Sequence, residues 1–148
     1  MTMDPQTQTI FDPLRKKAVA LTPEERVRQW FIALLRDEMG VPEHLMMSEV
    51  SMKLGDKSLR ADIVVFGRGD ARPLAVVECK RPDVELTEDV LMQVAGYNFK
   101  LDVKYVFITN GRRTLGFRKG EDGALVPLRE FPKYAEMQAG KNAPSPAK

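Results

Sequence analysis

Three ionisable residues stand where this sequence is otherwise most apolar. Asp62 lies inside Leu59-Arg-Ala-Asp-Ile-Val-Val-Phe66, and Glu78 and Lys80 close the run Leu74-Ala-Val-Val-Glu-Cys-Lys80. Side chains alternate along a strand, so Glu78 and Lys80 share one face while Cys79 points to the other. A carboxylate or ammonium buried without a partner is strongly unfavourable, and a divalent metal ion is the simplest partner for two acids. Two carboxylates, waters and a phosphate oxygen satisfy octahedral magnesium, which polarises the phosphate and lowers the pKa of water. A lysine beside them orients that water or offsets charge growing on the phosphate. The competing arrangement is an ion pair from Lys80 to Asp62 or Glu78 at the sheet edge. Glu-x-Lys alone fits that pairing at least as well, and Asp62 upstream moves the balance towards a metal site.

The elements that must position these residues are legible from periodicity and punctuation. Thr22-Pro23-Glu24-Glu25 starts a helix, with Thr22 as N-cap, Pro23 at the first helical position and Glu25 closing a capping box. The helix is expected to run to about Glu38, ended by Gly40 and Pro42, with an apolar stripe of Val27, Trp30, Phe31, Leu34 and Leu35. Strands follow at Met46–Leu54, Leu59–Phe66 and Pro73–Cys79, separated by turns at 55–58 and 67–70. Thr87 caps a second helix to Leu101, and Val103–Thr109 is a fourth buried strand ending in the turn Asn110-Gly111. Weak strands at Thr114–Phe117 and Ala124–Leu128 extend the sheet, and a helix from Glu130 to about Gln138 closes the fold. Residues 1–21 read as a loose start and a short helix or extended arm, 22–139 as one domain, and 140–148 as a disordered tail.

Composition narrows the functional classes. The chain of 148 residues is 43% hydrophobic and 30% charged, enough for one soluble domain. No apolar run is long enough to span a membrane, and the N-terminus lacks a signal-peptide pattern. One cysteine and one histidine, His44, exclude a disulfide within the chain and a cysteine- or histidine-based zinc site, so a cytoplasmic location is expected. Net charge is +2, compatible with nucleic acid without arguing for it. The clusters Arg15–Lys17, Arg112–Arg113 and Arg118–Lys119 read as phosphate contacts or as solvated charge. His44 reads as a solvent-exposed loop residue, Cys79, Met46, Met47 and Met92 as packing, and Trp30 as packing in preference to base stacking.

Asp62 followed by Glu78-Cys79-Lys80 resembles the PD-(D/E)xK nuclease superfamily. From Thr22 to Gly111 the chain is more specifically similar to the N-terminal nuclease domain of type I restriction enzyme R subunits and their stand-alone relatives. The resemblance is carried by Pro-Glu-Glu-Arg-Val-Arg-Gln, Arg60-Ala-Asp62, Val77-Glu-Cys-Lys-Arg-Pro82, Gln93-Val-Ala-Gly-Tyr97-Asn and Thr109-Asn-Gly, with Ala61 replacing a loosely kept proline. It implies an α/β restriction-endonuclease-like fold, a mixed central sheet with an αβββαβ core flanked by helices. It also implies hydrolysis of DNA phosphodiester bonds with Mg²⁺ (Mn²⁺ as a substitute), restriction-modification or helicase subunits as partners, and a homodimer where both strands are cut.

Carried onto this sequence, the resemblance makes Asp62 and Glu78 metal ligands, assisted by the main-chain carbonyl of Cys79, with Lys80 as catalytic base or charge stabiliser. Gln93 and Tyr97 match a Gln-x-x-x-Tyr helix motif and, four residues apart, share one helix face to hold the DNA backbone or Lys80, or else form a polar patch. The first helix of such domains often supplies an acid. Glu24, on the stripe with Val27 and Phe31, is favoured over Glu25, and Glu49 is a further candidate or an edge-strand charge. Arg28 and Arg81 contact phosphate or pair with the acids. Two alternatives stand beside the nuclease: an inactive nucleic-acid-binding or assembly module with the same fold, and a structural protein whose three residues form an ion-pair network.

Overall fold

The computed structural model describes residues 8–54, 57–69, 72–93 and 103–140, with the backbone alone for 52–54, 57–59 and 140. The chain begins with an antiparallel hairpin, β1 (Thr9–Asp12) and β2 (Lys17–Ala20), so the N-terminal arm is extended and Thr9 and Ile10, expected to be loose, are paired. Helix α1 (Pro23–Asp37) follows, then a short 3-10 turn (Glu43–Leu45) and strands β3 (Met46–Leu54), β4 (Lys57–Phe66) and β5 (Pro73–Cys79). Residues 88–93 form the described part of helix α2. Strands β6 (Tyr105–Thr109), β7 (Thr114–Lys119) and β8 (Leu125–Pro127) and helix α3 (Tyr134–Gly140) complete the order. The expected helix to Leu101 and the tail beyond 140 continue into residues outside the described ones. The closing helix starts four residues later than its sequence pattern implied.

The six strands make one mixed sheet in the order β3-β4-β5-β6-β7-β8. Only β5 and β6 run parallel, because the segment containing α2 carries the chain back across the sheet between them. Every residue of β6 is buried, as its unbroken apolar run requires of a strand covered on both faces. On one face Phe31, Ile32 and Leu35 of α1 and Met137 of α3 pack over Ile63, Val65, Val77 and Phe107. The fully buried Phe31 ring lies 6.1 Å from Phe107, and burying a side chain of that size contributes about 2–3 kcal/mol. On the other face Leu86, Val90 and Leu91 cover Val64, Val76, Val106 and Ile108.

Helix α1 begins as its sequence dictates. Thr22 Oγ1 accepts the Glu25 N–H at 3.0 Å, Pro23 opens the helix, and Gly40 follows its end at φ +74°. Three sequence expectations are corrected. The Glu25 carboxylate does not complete the capping box, because Arg15 and Gln29 hold it. The buried stripe is rotated to include Arg28 and Ile32, leaving Trp30 44% exposed. Met46 is buried as expected, but Met47 and Met92 face solvent.

Candidate metal site and its surroundings

The pairing of β4 with β5 ends at Ile63 opposite Val77. At this point the alternation of β4 also breaks, for Ala61 packs on the α2 side of the sheet and Ile63 on the α1 side. Opposite, in β3, Glu49 takes a positive φ of +52° between the pairs Ser48–Ile63 and Val50–Ala61. Asp62 sits in this irregularity, where its Oδ2 accepts the Cys79 N–H at 2.6 Å. A side chain thus supplies the partner for a main-chain donor just past the last β4–β5 ladder pair.

Glu78 and Lys80 project together from the end of β5, with Lys80 Nζ 3.4 Å from Glu78 Oε1 and both side chains about three-quarters buried. Lys80 N–H donates to the Thr109 carbonyl at 2.8 Å, fixing the segment beyond the strand against β6. Burial pushes the Glu78 carboxyl up to about 7, the Asp62 charge adds to the push, Lys80 opposes it, and Glu24 adds a little more. Asp62 is also raised by burial, despite the Cys79 N–H and the charges of Arg28, Lys80 and Arg60. Two acids are therefore held close together with too little positive charge around them, and a divalent cation would relieve both burial and mutual repulsion.

This donor set fits such an ion. Among the described residues no three His, Cys, Asp or Glu side chains converge on one point. The expected set needs only two carboxylates and a main-chain carbonyl, with water and substrate completing the coordination.

The other sequence candidates separate. The Cys79 side chain is buried in the α1-side core, and burial raises its thiol well above the usual range, so it stays protonated. Glu24 is half-buried and acts electrostatically on Glu78, whereas Glu25 is buried in a different cluster. Arg28, expected to touch phosphate or to pair with acids, is 4% exposed and pairs with acids: Nη1 lies 3.2 Å from Glu49 Oε1 and Nη2 3.7 Å from Asp62 Oδ1. Arg81 is exposed beside Asp83. Gln93 is exposed on α2 without a hydrogen bond among the described residues, and Tyr97 lies outside them. Glu49 is not a free edge charge, since Arg15, Arg28 and Arg60 all reach it. His44 is exposed, as expected.

Sequence reasoning missed a network beside this site. Asp12, fully buried at the end of β1, accepts hydrogen bonds from Leu14 N–H and Arg15 Nε. Arg15 Nη2 reaches Glu25 Oε1 at 2.7 Å, and Gln29 Nε2 donates to Glu25 Oε2 at 2.9 Å. Arg15 is thus built into the protein rather than offered to phosphate. Asn110 was also underread. It is 7% exposed, its Oδ1 accepts the N–H groups of Arg112 and Arg113, and its Nδ2 donates to the Val84 carbonyl, clasping the β6–β7 turn to the loop after Lys80. Only the Thr109-Asn-Gly signature pointed to it.

Two comparisons bear on this arrangement. The chain has the fold of a fragment described as the HsdR subunit of a type I restriction enzyme from Vibrio vulnificus YJ016, with a TM-score of 0.56 and 23% identity over 77% of this chain. The match spans 24% of that subunit chain. No curated protein matches. The family described as the type I restriction enzyme R protein N terminus matches residues 23–132, from the start of α1 past the last strand. The chain belongs to that family, and its fold is restriction-endonuclease-like.

Proposed function

We propose that this chain is a divalent-metal-dependent deoxyribonuclease domain of the PD-(D/E)xK type. The observation that carries the reading is the pair Asp62 and Glu78, both raised by burial, Asp62 at the irregularity within β4 and Glu78 near the end of the neighbouring β5, with Lys80 3.4 Å from Glu78. Asp62 and Glu78 hold the ion, Mg²⁺ or Mn²⁺, and the Cys79 carbonyl is a further ligand. A divalent ion bound there polarises the scissile phosphate and makes water a better nucleophile. Lys80 orients the attacking water or neutralises charge growing on the phosphate oxygens. The Cys79 N–H keeps Asp62 turned into the site, and Glu24 is the acid from α1. Arg81, Gln93 and Tyr97 are assigned to contacts with the DNA backbone.

Membership of the R-protein family supports DNA as substrate and other restriction-modification subunits as partners, in a cytoplasm where the lone thiol stays reduced. Among the described residues no helix is long and apolar enough to cross a membrane. Cutting both strands of a duplex calls for two such sites, supplied by a homodimer.

The test is cleavage of plasmid DNA by the purified chain with Mg²⁺ or Mn²⁺. Glu78→Ala and Lys80→Ala should each lower the rate by at least about a hundredfold. Cleavage that survives both substitutions would falsify the site. If the wild-type chain binds DNA and never cuts it, the inactive binding module is the better reading.

A further inference from the structure

Trp30, the only tryptophan of the chain, presents its ring to solvent at the edge of an open cleft of about 260 Å³. Three elements build the cleft: Arg26, Val27 and Trp30 from one side of α1, Pro82 from the loop after Lys80, and Gly111 and Arg112 from the β6–β7 turn. The lining is mostly apolar, yet Arg26 and Arg112 stand exposed at its rim and make no ion pair among the described residues. Its floor depends on Gly111. This residue has φ +85°, and a Cβ there would come within 3.3 Å of Val27 Cγ2. The Asn110 clasp, with bonds of 2.8–2.9 Å to Arg112 N–H, Arg113 N–H and the Val84 carbonyl, holds the turn in place without a ligand. The cleft lies near the candidate metal site, since Pro82 is two residues past Lys80 and Asn110 follows Thr109, the acceptor of the Lys80 N–H.

A flat aromatic surface in an apolar slot, with two unpaired guanidinium groups at its mouth, matches an unstacked base carried on a phosphate backbone. A duplex offers no such base face, whereas a single strand or a locally opened duplex does. We propose that this cleft binds one unpaired nucleotide of the DNA strand, stacking its base on Trp30 while Arg26 and Arg112 hold the flanking phosphates. The inference rests on DNA being the substrate, and it adds that the strand is opened next to the cleavage site.

The lone tryptophan reports on its own site. Emission of the full chain is titrated without divalent metal, so that nothing is cut, using a single-stranded oligothymidylate, a blunt duplex of equal length and thymidine monophosphate. Saturable quenching by the single strand, with at least tenfold weaker responses to the duplex and the mononucleotide, is expected. By anisotropy of a labelled single strand, Trp30→Ala should weaken binding about 5- to 100-fold, the range that stacking of one base supplies. The surface double variant Arg26→Ala/Arg112→Ala should weaken it further as salt falls and flatten its salt dependence. Binding without quenching, or equal affinity of Trp30→Ala, overturns the inference, as does quenching by the mononucleotide alone at the same concentration. Cleavage that requires Glu78, in a protein whose tryptophan ignores the single strand, sinks this inference and leaves the nuclease reading intact. Quenching specific to the single strand in a protein that never cuts does the reverse.

Discussion

Two neighbouring groups of carboxylates have opposite electrostatics, and the adjacent residues Glu24 and Glu25 of α1 each belong to one of them. Glu25 joins Asp12 and Glu49, and these three acids are met by three arginines, Arg15, Arg28 and Arg60. Glu24 joins Asp62 and Glu78, whose close cation is Lys80, with Arg28 reaching across from the first group to Asp62. Burial works against the charged form in both groups. In the first the arginines win, and Asp12 and Glu49 are held below the usual carboxylate range. In the second burial and repulsion win, and Asp62 and Glu78 are raised. The groups differ in their count of cations, and Asp62 and Glu78 also bear the heavier desolvation. The first is complete as it stands. The second leaves its acids short of positive charge, which is what makes it the candidate site.

The largest effect expected from this contrast is on stability at Arg28. Its guanidinium is buried against Glu25, Glu49 and Asp62, and removing one member of a buried ion-pair set leaves charges without partners. Arg28→Ala should cost about 3–5 kcal/mol in urea unfolding. A loss under about 1 kcal/mol would mean that the network is solvated and that the contrast is one of geometry rather than energy.

Glu78 should respond in the opposite direction. Its folded value of about 7 lies above its ordinary 4.5, so the unfolded chain releases the proton first. In metal-free protein stability should therefore decline as pH rises from 4.5 to about 7 and level off above that. Asp12 and Glu49, held low, contribute stability above their ordinary range that is lost only as pH falls through their folded values. Glu78→Gln should remove its share of the decline, leaving the smaller one due to Asp62, and raise stability at pH 8 by up to about 3 kcal/mol. If instead this variant is destabilised at pH 8, Glu78 is a paired acid like those of the first group. Added Mg²⁺ or Mn²⁺ at a hundred times its Kd should restore roughly 2.7 kcal/mol, a rise in Tm of about 5–10 °C, and Glu78→Ala should show no such rise.

Asp62 and Glu78 drew notice in the sequence for the same reason that they are raised. A charge placed within or at the end of an apolar strand conflicts with its local pattern, and such conflicts concentrate at functional sites. The strands were legible too, β3 and β5 to the residue, because Gly55-Asp56 closes β3 and Pro73 opens the apolar run of β5. The arginine network left no such trace. Asp12, Arg15, Glu25, Arg28 and Glu49 come from four elements, and although Arg28 was expected to pair with acids or touch phosphate, nothing in a linear chain says that it meets Glu49 and Glu25 or that Asp12 and Arg15 join them. Trp30 was misread because its position satisfies helical periodicity. Whether the ring meets core or cleft depends on the β6–β7 turn, and Gly111 leaves that space open.

The finest test of the contrast uses Arg60 and Arg28 on one acid. Both reach Glu49 Oε1, Arg60 at 2.8 Å and Arg28 at 3.2 Å, so distance alone favours Arg60. Their surroundings differ, for the Arg60 side chain is 62% exposed and that of Arg28 only 5%. Water and salt screen an exposed pair, and ordering a long side chain costs most of what the contact returns. Arg60→Ala should thus lower stability by no more than about 1 kcal/mol, and a double-mutant cycle with Glu49→Gln should yield a coupling of similar size that shrinks in high salt. The same cycle with Arg28→Ala should give a larger coupling that salt barely changes. Equal couplings would mean that the shorter distance matters as much as burial, and the opposite shifts of the two acid groups would then need a cause other than the number of desolvated cations beside them.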